Sequence, residues 1–157
     1  MGWISLSLRK QTLKAGIAQE QLRNLQISRE IRSIQRQLSY SQSIYDLDKT
    51  NELNAAKDDF NAVKADRPDD INSDEYQEWR QEYDEAKMEY EEAKVEINDY
   101  YDDIYNELEQ ESQDRQTALE QEQATVEAQM EAMQAELEAV QEQISTEIQN
   151  SAISFGK

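Results

Sequence analysis

The side chains of this sequence that could do chemistry are almost all carboxylates. The chain of 157 residues holds 35 Asp and Glu but no His and no Cys. Disulfides, thiol or imidazole nucleophiles, and zinc sites built on Cys or His are therefore excluded. What remains is the chemistry of oxygen ligands: acid–base catalysis by a pair of carboxylates, or the binding of a hard cation such as Ca²⁺.

The segment DINSD (70–74) comes nearest to a cation-binding pattern. Asp70, Asn72 and Asp74 match the first, third and fifth positions of an EF-hand calcium loop. The sixth position of such a loop is Gly and the twelfth is Glu, whereas this chain has Glu75 and Gln81 there. We therefore interpret the segment as a turn followed by the start of a helix.

The other acidic clusters, such as Asp99 with Asp102 and Asp103, also lack a partner for chemistry. Di-metal sites in helical bundles take ligands from a Glu-x-x-His motif, which a chain without His cannot supply. We interpret these clusters as the solvated faces of helices. The sequence thus predicts no catalytic, cofactor-binding or metal-binding residue, no cofactor, and a protein that is not an enzyme.

Composition indicates long helices. Leu, Ile, Val and Phe number 29, about 18% of the chain, which is less than an ordinary globular core contains. Good helix formers (Ala, Glu, Lys, Leu, Arg and Gln) make up 83 residues, and there are only three Gly and one Pro. A coiled coil buries only a narrow seam and is compatible with this composition. The predicted fold is therefore all-α, a long antiparallel helical hairpin or coiled coil with short termini that do not fit the heptads.

The first helix is predicted over residues 9–65 and the interhelical turn over residues 66–73. Apolar residues from Ile27 onward recur at alternating steps of three and four, which is the spacing of one helix face. Pro68 disfavours helical geometry at the residue before it and so ends the first helix. Asn72 or Ser73 can cap the second helix, and Asn72 with Glu75 three residues later resembles a capping box.

The second helix is predicted over residues 74–150. Two nearly identical heptads, YDEAKME (83–89) and YEEAKVE (90–96), fix its apolar seam. The seam lapses after Leu108, so a bend or joint is allowed at 109–118 before it resumes. The predicted coiled-coil seam consists of Trp79, Tyr83, Tyr90, Ile97, Tyr101, Ile104, Leu108, Leu119, Val126, Met133, Leu137 and Val140.

Charge favours the antiparallel arrangement. Residues 1–45 hold seven Lys/Arg and two Glu, a net charge of +5, whereas residues 46–157 hold nine Lys/Arg and 33 acids, a net charge of −24. Folding the chain about residue 70 places Arg9 to Arg36 opposite residues 104–131, which are rich in Glu. Exposed ion pairs contribute only about 0–1 kcal/mol each, so they select orientation more than they stabilise the fold.

Short alternating apolar segments at both ends of the chain do not fit the heptads. Residues 1–8 are compatible with the first turns of the first helix, with an interfacial anchor, or with an extended segment that adds to a partner. We interpret them as an N-terminal docking segment and residues 151–157 as a C-terminal docking tail. The second helix is also expected to extend beyond the first, which leaves its last turns without an intrachain partner. The predicted partner-docking residues are Trp3, Ile4, Leu6, Leu8, Ile144, Ile148, Ile153 and Phe155.

These features predict a non-enzymatic structural or assembly protein that docks through its termini in a multi-copy complex and can self-associate. In class, the chain resembles the small acidic coiled-coil proteins that serve as scaffolding or minor virion components of tailed phages. It is also similar in outline to the two-helix stalk proteins of type III export machines, which are usually less acidic. Two alternatives stay open: a helical adaptor or chaperone that holds an apolar client along its Met-rich seam, and an acidic mimic of nucleic acid.

Direct binding of nucleic acid is not expected, because Arg29, Arg32 and Arg36 share a face without an aromatic or motif context. No apolar run reaches the roughly 18 residues that a transmembrane helix needs. The start of the chain lacks the order of a signal peptide, and Leu6 stands where a myristoylation motif has Ser or Thr. We expect a soluble protein, cytoplasmic or within a virion or other large assembly, and the sequence does not decide between these locations.

Overall fold

Two long helices account for the fold, as predicted. The computed structural model describes the backbone from Gly2 to Phe155 and the side chains as far as Ile153. Helix α1 spans Gly2–Ala65 and helix α2 spans Asp74–Phe155, with 64 and 82 residues. The two helices pack against each other in antiparallel directions, and the described residues contain no strand. The predicted all-α helical hairpin is confirmed.

Both ends of the chain are helical over the described residues, and the expected change of structure at residues 8 and 151 is absent. Helix α1 already begins at Gly2, and α2 continues past residue 150 to Phe155. Nothing in residues 2–8 breaks a helix, and Leu6 lies half-buried one heptad before the buried Leu13. Helix α2 also continues without a break through residues 109–118, where the sequence allowed a bend or joint.

The turn between the helices is closed by a short network of hydrogen bonds. The Asp70 carboxylate accepts a hydrogen bond from the Asn72 amide at 3.0 Å, which is a local turn and not a cation loop. Ser73 is the N-cap of α2, because its hydroxyl accepts a hydrogen bond from the Tyr76 amide at 3.1 Å and donates one to the Asp70 carbonyl at 2.7 Å. The capping box that Asn72 and Glu75 suggested is therefore not the cap that forms.

The chain divides into two compact units, each of which contains a part of both helices. Unit 1 comprises α1 as far as Ile34 and α2 from Asp114 onward, and unit 2 comprises Gln35–Gln113. Aliphatic residues dominate the buried core of unit 1, whereas in unit 2 only a tyrosine is fully buried among the described residues. The buried side chains are Leu13, Ile17, Ile27, Ile34, Val126 and Val140 in unit 1, and Tyr101 in unit 2.

The register of the hairpin differs from the one obtained by folding the chain about residue 70. In unit 1, Arg9 contacts Glu136 and Arg23 contacts Glu122, five residues further along α2 than predicted. In unit 2, the ring of Phe60 packs against those of Tyr83 and Tyr90, with centroids 5.5 and 5.2 Å away. A heptad pattern is compatible with several registers, and the packing of the large rings selects one of them.

Candidate protein-docking surface

The twelve predicted seam residues all lie at buried or half-buried positions. Those of unit 2, from Trp79 to Leu108, face α1 residues of the same unit, and those of unit 1, from Leu119 to Val140, do the same there. They form the contact between the two helices. Their apolar side chains are thus used within the chain, and a surface for other proteins has to be sought elsewhere.

Aromatic rings fill the part of unit 2 next to the turn. The Trp79 ring lies 5.5 Å from Tyr76 and 5.2 Å from Tyr83, and the Phe60 ring stacks on Tyr90. The indole N–H of Trp79 donates a hydrogen bond to the Val63 carbonyl at 2.7 Å. That carbonyl belongs to the last turn of α1 and also accepts a hydrogen bond from the Asp66 backbone amide at 3.3 Å. Trp79 therefore joins the start of α2 to the end of α1.

Two tyrosines further along unit 2 bind carboxylates of α1. The Tyr101 hydroxyl donates to Glu52 at 2.8 Å, and the Tyr105 hydroxyl donates to Asp46. Burial, followed by the hydrogen bond to Glu52, raises the pKa of Tyr101 to about 12. The hydrogen bond to Asp46, followed by burial, raises the pKa of Tyr105 to about 12. Both hydroxyls stay protonated at neutral pH, so neither can serve as a general base there.

Ion pairs join the two helices in unit 1. Arg9 Nε donates to Glu136 at 2.7 Å, and Arg23 pairs with Glu122. The hydrogen bond to Glu122 raises the pKa of the Arg23 guanidinium. These side chains are between a third and a half exposed, so solvent screens each pair and its contribution to stability is small. They neutralise two of the basic residues that α1 carries in this unit.

The Met-rich seam of unit 1 is covered by the chain itself. Met133 lies half-buried against Gly16, so closely that a Cβ atom at residue 16 would be 2.8 Å from the methionine sulfur. Met130 is half-buried as well. Glycine at position 16 therefore has a packing role in α1, because it lets a long side chain of α2 reach the helix backbone.

The predicted docking residues fall into three groups. Trp3, Ile4 and Leu8 on α1 are 50%, 49% and 62% exposed, and Ile148 and Ile153 on α2 are 54% and 64% exposed. Leu6 and Ile144 are half-buried, because α1 begins at Gly2 and Gly2 lies against the Glu147 side chain. The predicted overhang of α2 is therefore shorter than expected. The side chain of Phe155 lies outside the described residues.

A second apolar line on α1 was missed by the sequence reasoning. It runs through seven positions that are spaced by alternating steps of three and four, like the positions of α1 that face α2. Each position of this line comes two residues before a position that faces α2. Because each residue turns a helix by about 100°, it lies on the side of α1 that faces away from α2. We call this line the outer stripe; it consists of Ile4, Leu8, Gln11, Ala15, Ala18, Leu22 and Leu25, all of them exposed.

Charged residues are nearly absent beside the outer stripe. On this stretch of α1, Arg9 and Arg23 pair with α2, while Lys10 and Glu20 lie half-buried at seam positions. Only Lys14 remains beside the stripe; its other neighbours are neutral polar residues: Ser5, Ser7, Thr12, Gln19, Gln21, Gln26 and Ser28. In a chain with 32% charged residues, a face with one charge is distinctive, because depletion of charge marks the centres of protein interfaces.

Other kinds of site find no support in the part of the chain that the structure describes. No three acidic side chains there converge as ligands for a metal ion. No described helix has a stretch that is both long and apolar enough to cross a membrane. The groove of about 270 Å³ between the helices of unit 2, which includes Ala56 and Phe60 in its lining, is an open furrow along the seam.

The fold and its surfaces define an antiparallel helical hairpin with an apolar outer face on one helix. Comparison of the chain with models of protein families, with curated proteins and with solved structures gives no match.

Proposed function

We propose that this protein is a non-enzymatic structural or assembly protein whose helical hairpin docks on other protein chains within a multi-subunit complex. The observation that carries the proposal is the exposure of apolar side chains near the helix termini in unit 1, above all Leu8, Ile148 and Ile153. Burying such side chains against a partner releases roughly 1.5–3 kcal/mol each when burial is complete. A scaffolding or minor component of a phage particle is one setting that fits a small acidic hairpin of this kind.

An enzymatic role has less support. Catalysis needs a concave site that excludes water and holds groups with pKa values near the working pH. The furrow between Ala56 and Ala93 is open along its length, and the two tyrosines with raised pKa values are shifted away from neutrality. The acidic side chains project from helices that are in contact with water.

The two other candidates make different demands on the chain. A chaperone that uses the Met-rich seam would have to displace α1 from Met133, which already packs against Gly16. A mimic of nucleic acid would depend on its exposed carboxylates and not on terminal apolar residues. The assembly role and the mimic role can therefore be separated by substitutions on two different surfaces.

The test is the sedimentation of the tagged chain in a native lysate of its own cells. We expect the chain to sediment well ahead of the purified protein, and we expect the variant Ile148→Glu/Ile153→Glu to return to the slow fraction. The matched control is Val95→Glu, because Val95 is 58% exposed on the same helix; this variant should sediment like the wild type.

Two results would contradict the assembly role. One is fast sedimentation that the terminal variant leaves unchanged. The other is loss of fast sedimentation in Glu131→Gln/Glu138→Gln, which removes exposed charge but no apolar surface, together with an intact complex in the terminal variant. The second pattern is the one that a mimic of nucleic acid would give.

A further inference from the structure

We infer that the outer stripe of α1 is a self-association surface, on which a second copy of this chain docks its own outer stripe in antiparallel orientation. The inference deepens the proposed function and rests on it, since it names one partner of the hairpin and the face that partner uses. The surface is the apolar side of α1 that α2 leaves uncovered, from Ile4 to Leu25.

The large apolar residues of the outer stripe are placed symmetrically about Ala15. Large residues lie at both ends, namely Ile4 with Leu8 and Leu22 with Leu25, and smaller or polar ones lie between them. In an antiparallel pair centred on Ala15, Leu8 meets Leu22 of the second copy and Ile4 meets Leu25 of the second copy. Ala15 meets Ala15 of the second copy at the axis. A surface that matches itself under a two-fold rotation is what an isologous dimer requires.

Charge supports a second copy on this face more than on any acidic face. Each chain carries a net charge of −19, so two copies repel each other over most of their surface. Residues 2–28 of α1 carry four basic residues and one acid, and two of the basic residues are already paired with Glu122 and Glu136. Contact through the outer stripe keeps the acidic α2 helices of the two copies on the outside.

The position that follows the stripe favours the antiparallel orientation, although Lys14 of each copy then lies close to the two-fold axis. Arg29 is the next position along the same line after Leu25, at a step of four. In a parallel pair, Arg29 would lie directly opposite Arg29 of the second copy, and like charges at facing positions oppose association. A parallel pair would also bury Gln11 against Gln11 of the second copy. In the antiparallel pair, Gln11 meets Ala18 of the second copy, and Arg29 falls beyond the paired stretch.

The size of the surface sets the expected affinity. The stripe spans 22 residues, or about 32 Å of helix. With its neutral neighbours it offers about 15 residues per copy, below the roughly 20–30 of a standard protein interface. We therefore expect a dissociation constant in the range of about 1–100 µM, which calls for measurements from low micromolar to high micromolar protein.

The first test is sedimentation equilibrium of the full-length chain across that concentration range. The wild type should change from monomer to dimer, and Leu8→Glu/Leu22→Glu should weaken the dimer at least tenfold with unchanged helical circular dichroism. The matched control is Leu47→Glu, because Leu47 is as exposed as Leu8, at 62%, but lies on α1 outside the stripe. This control should associate like the wild type.

Cysteine cross-linking tests the orientation, and the chain has no native Cys to interfere. Under mild oxidation, Ala15→Cys should give a disulfide-linked dimer, whereas Arg29→Cys should not, since that position pairs with itself only in a parallel dimer. Ala132→Cys, an exposed position on α2, serves as the control for the other helix. Efficient cross-linking at residue 29 or 132 in place of residue 15 would overturn the proposed pairing.

A chain that stays monomeric at several hundred micromolar, or a dimer that Leu8→Glu/Leu22→Glu leaves intact, would also overturn the inference. Neither result bears on the proposed function. That function fails only when native sedimentation is independent of Ile148 and Ile153, residues that lie outside the outer stripe.

Discussion

At the scale of single residues, the tyrosine–carboxylate contacts make the stability of the hairpin depend on the protonation of two side chains. Tyr101 and Tyr105 donate hydrogen bonds across the seam to Glu52 and Asp46. An ionised tyrosine would place a second negative charge against each carboxylate. Both contacts therefore depend on the protonated phenol, which links the stability of unit 2 to pH in the alkaline range.

We expect Tyr101 and Tyr105 to titrate at a pKa of about 12 when absorbance at 295 nm is followed with pH. The folded-state pKa values lie above the ordinary value of about 10. The contacts are thus fully present below pH 10, and the stability they contribute is lost as pH rises toward 12. Glu52→Gln should move the Tyr101 step to lower pH, whereas Asp58→Asn, at an exposed position on the same helix, should not. A single step common to all tyrosines would refute the assignment.

Gly16 gives a second residue-scale prediction. Ala is a better helix former than Gly by about 1 kcal/mol, but a Cβ at this position would lie 2.8 Å from the Met133 sulfur. Overpacking costs about 1–3 kcal/mol where neighbours cannot move, but the Met133 sulfur belongs to a flexible, half-buried side chain that can turn aside. We therefore expect Gly16→Ala to raise the free energy of unfolding by less than the gain in helix propensity. In a Met133→Ala background the contact is gone, and the same substitution should give the full gain. Urea unfolding of the four proteins measures the coupling, and equal effects in both backgrounds would contradict it.

At the scale of the elements, the aromatic cluster holds the end of α1 to the start of α2. Trp79→Phe keeps a ring beside Tyr76 and Tyr83 but removes the hydrogen bond to the Val63 carbonyl. We expect a loss of about 1 kcal/mol in the free energy of unfolding, measured by circular dichroism in urea. The control is Trp3→Phe, because the Trp3 side chain is half exposed. This variant should leave the free energy of unfolding unchanged. If both variants behave alike, the indole hydrogen bond does not contribute.

The elements were largely predictable from the sequence because heptad spacing reports directly on which face of a helix is covered. The break near Pro68 and the seam from Trp79 to Val140 needed no tertiary information. The register did need it, since Phe60 could meet several tyrosines at equivalent heptad positions and only ring packing selects Tyr83 and Tyr90. The N-cap was also ambiguous, because Asn72 and Ser73 are both good capping residues and the geometry of the turn decides for Ser73.

The outer stripe was not recognised for a different reason. When Ala is not counted, its apolar members are up to 14 positions apart, as between Leu8 and Leu22, where Gln11, Ala15 and Ala18 occupy the intervening stripe positions. The stronger apolar pattern on the opposite side of α1 already explained why this segment is helical. Only the exposure of Leu8, Leu22 and Leu25 in the folded hairpin shows that a second apolar face remains uncovered.

At the scale of the whole molecule, net charge decides how association responds to salt. Two chains of charge −19 repel each other, and the electrostatic range falls from about 10 Å at 0.1 M to about 3 Å at 1 M salt. We expect the dimer formed through the outer stripe to become tighter as salt rises, as measured by light scattering at fixed protein concentration. Dissociation by salt would instead indicate pairing of the basic part of α1 with an acidic α2 of the neighbouring chain.

In an antiparallel hairpin, the residue pairs nearest the turn are both synthesised first, and the pairs at the open end last. The distance along the chain between paired residues is 16 for Trp79 with Val63, 49 for Tyr101 with Glu52, 99 for Arg23 with Glu122 and 127 for Arg9 with Glu136. At translation rates of about 5–20 residues per second, Arg9 waits on the order of ten seconds for its partner to be made. Throughout that interval the apolar side chains of the first turns of α1 have no α2 residues to cover them.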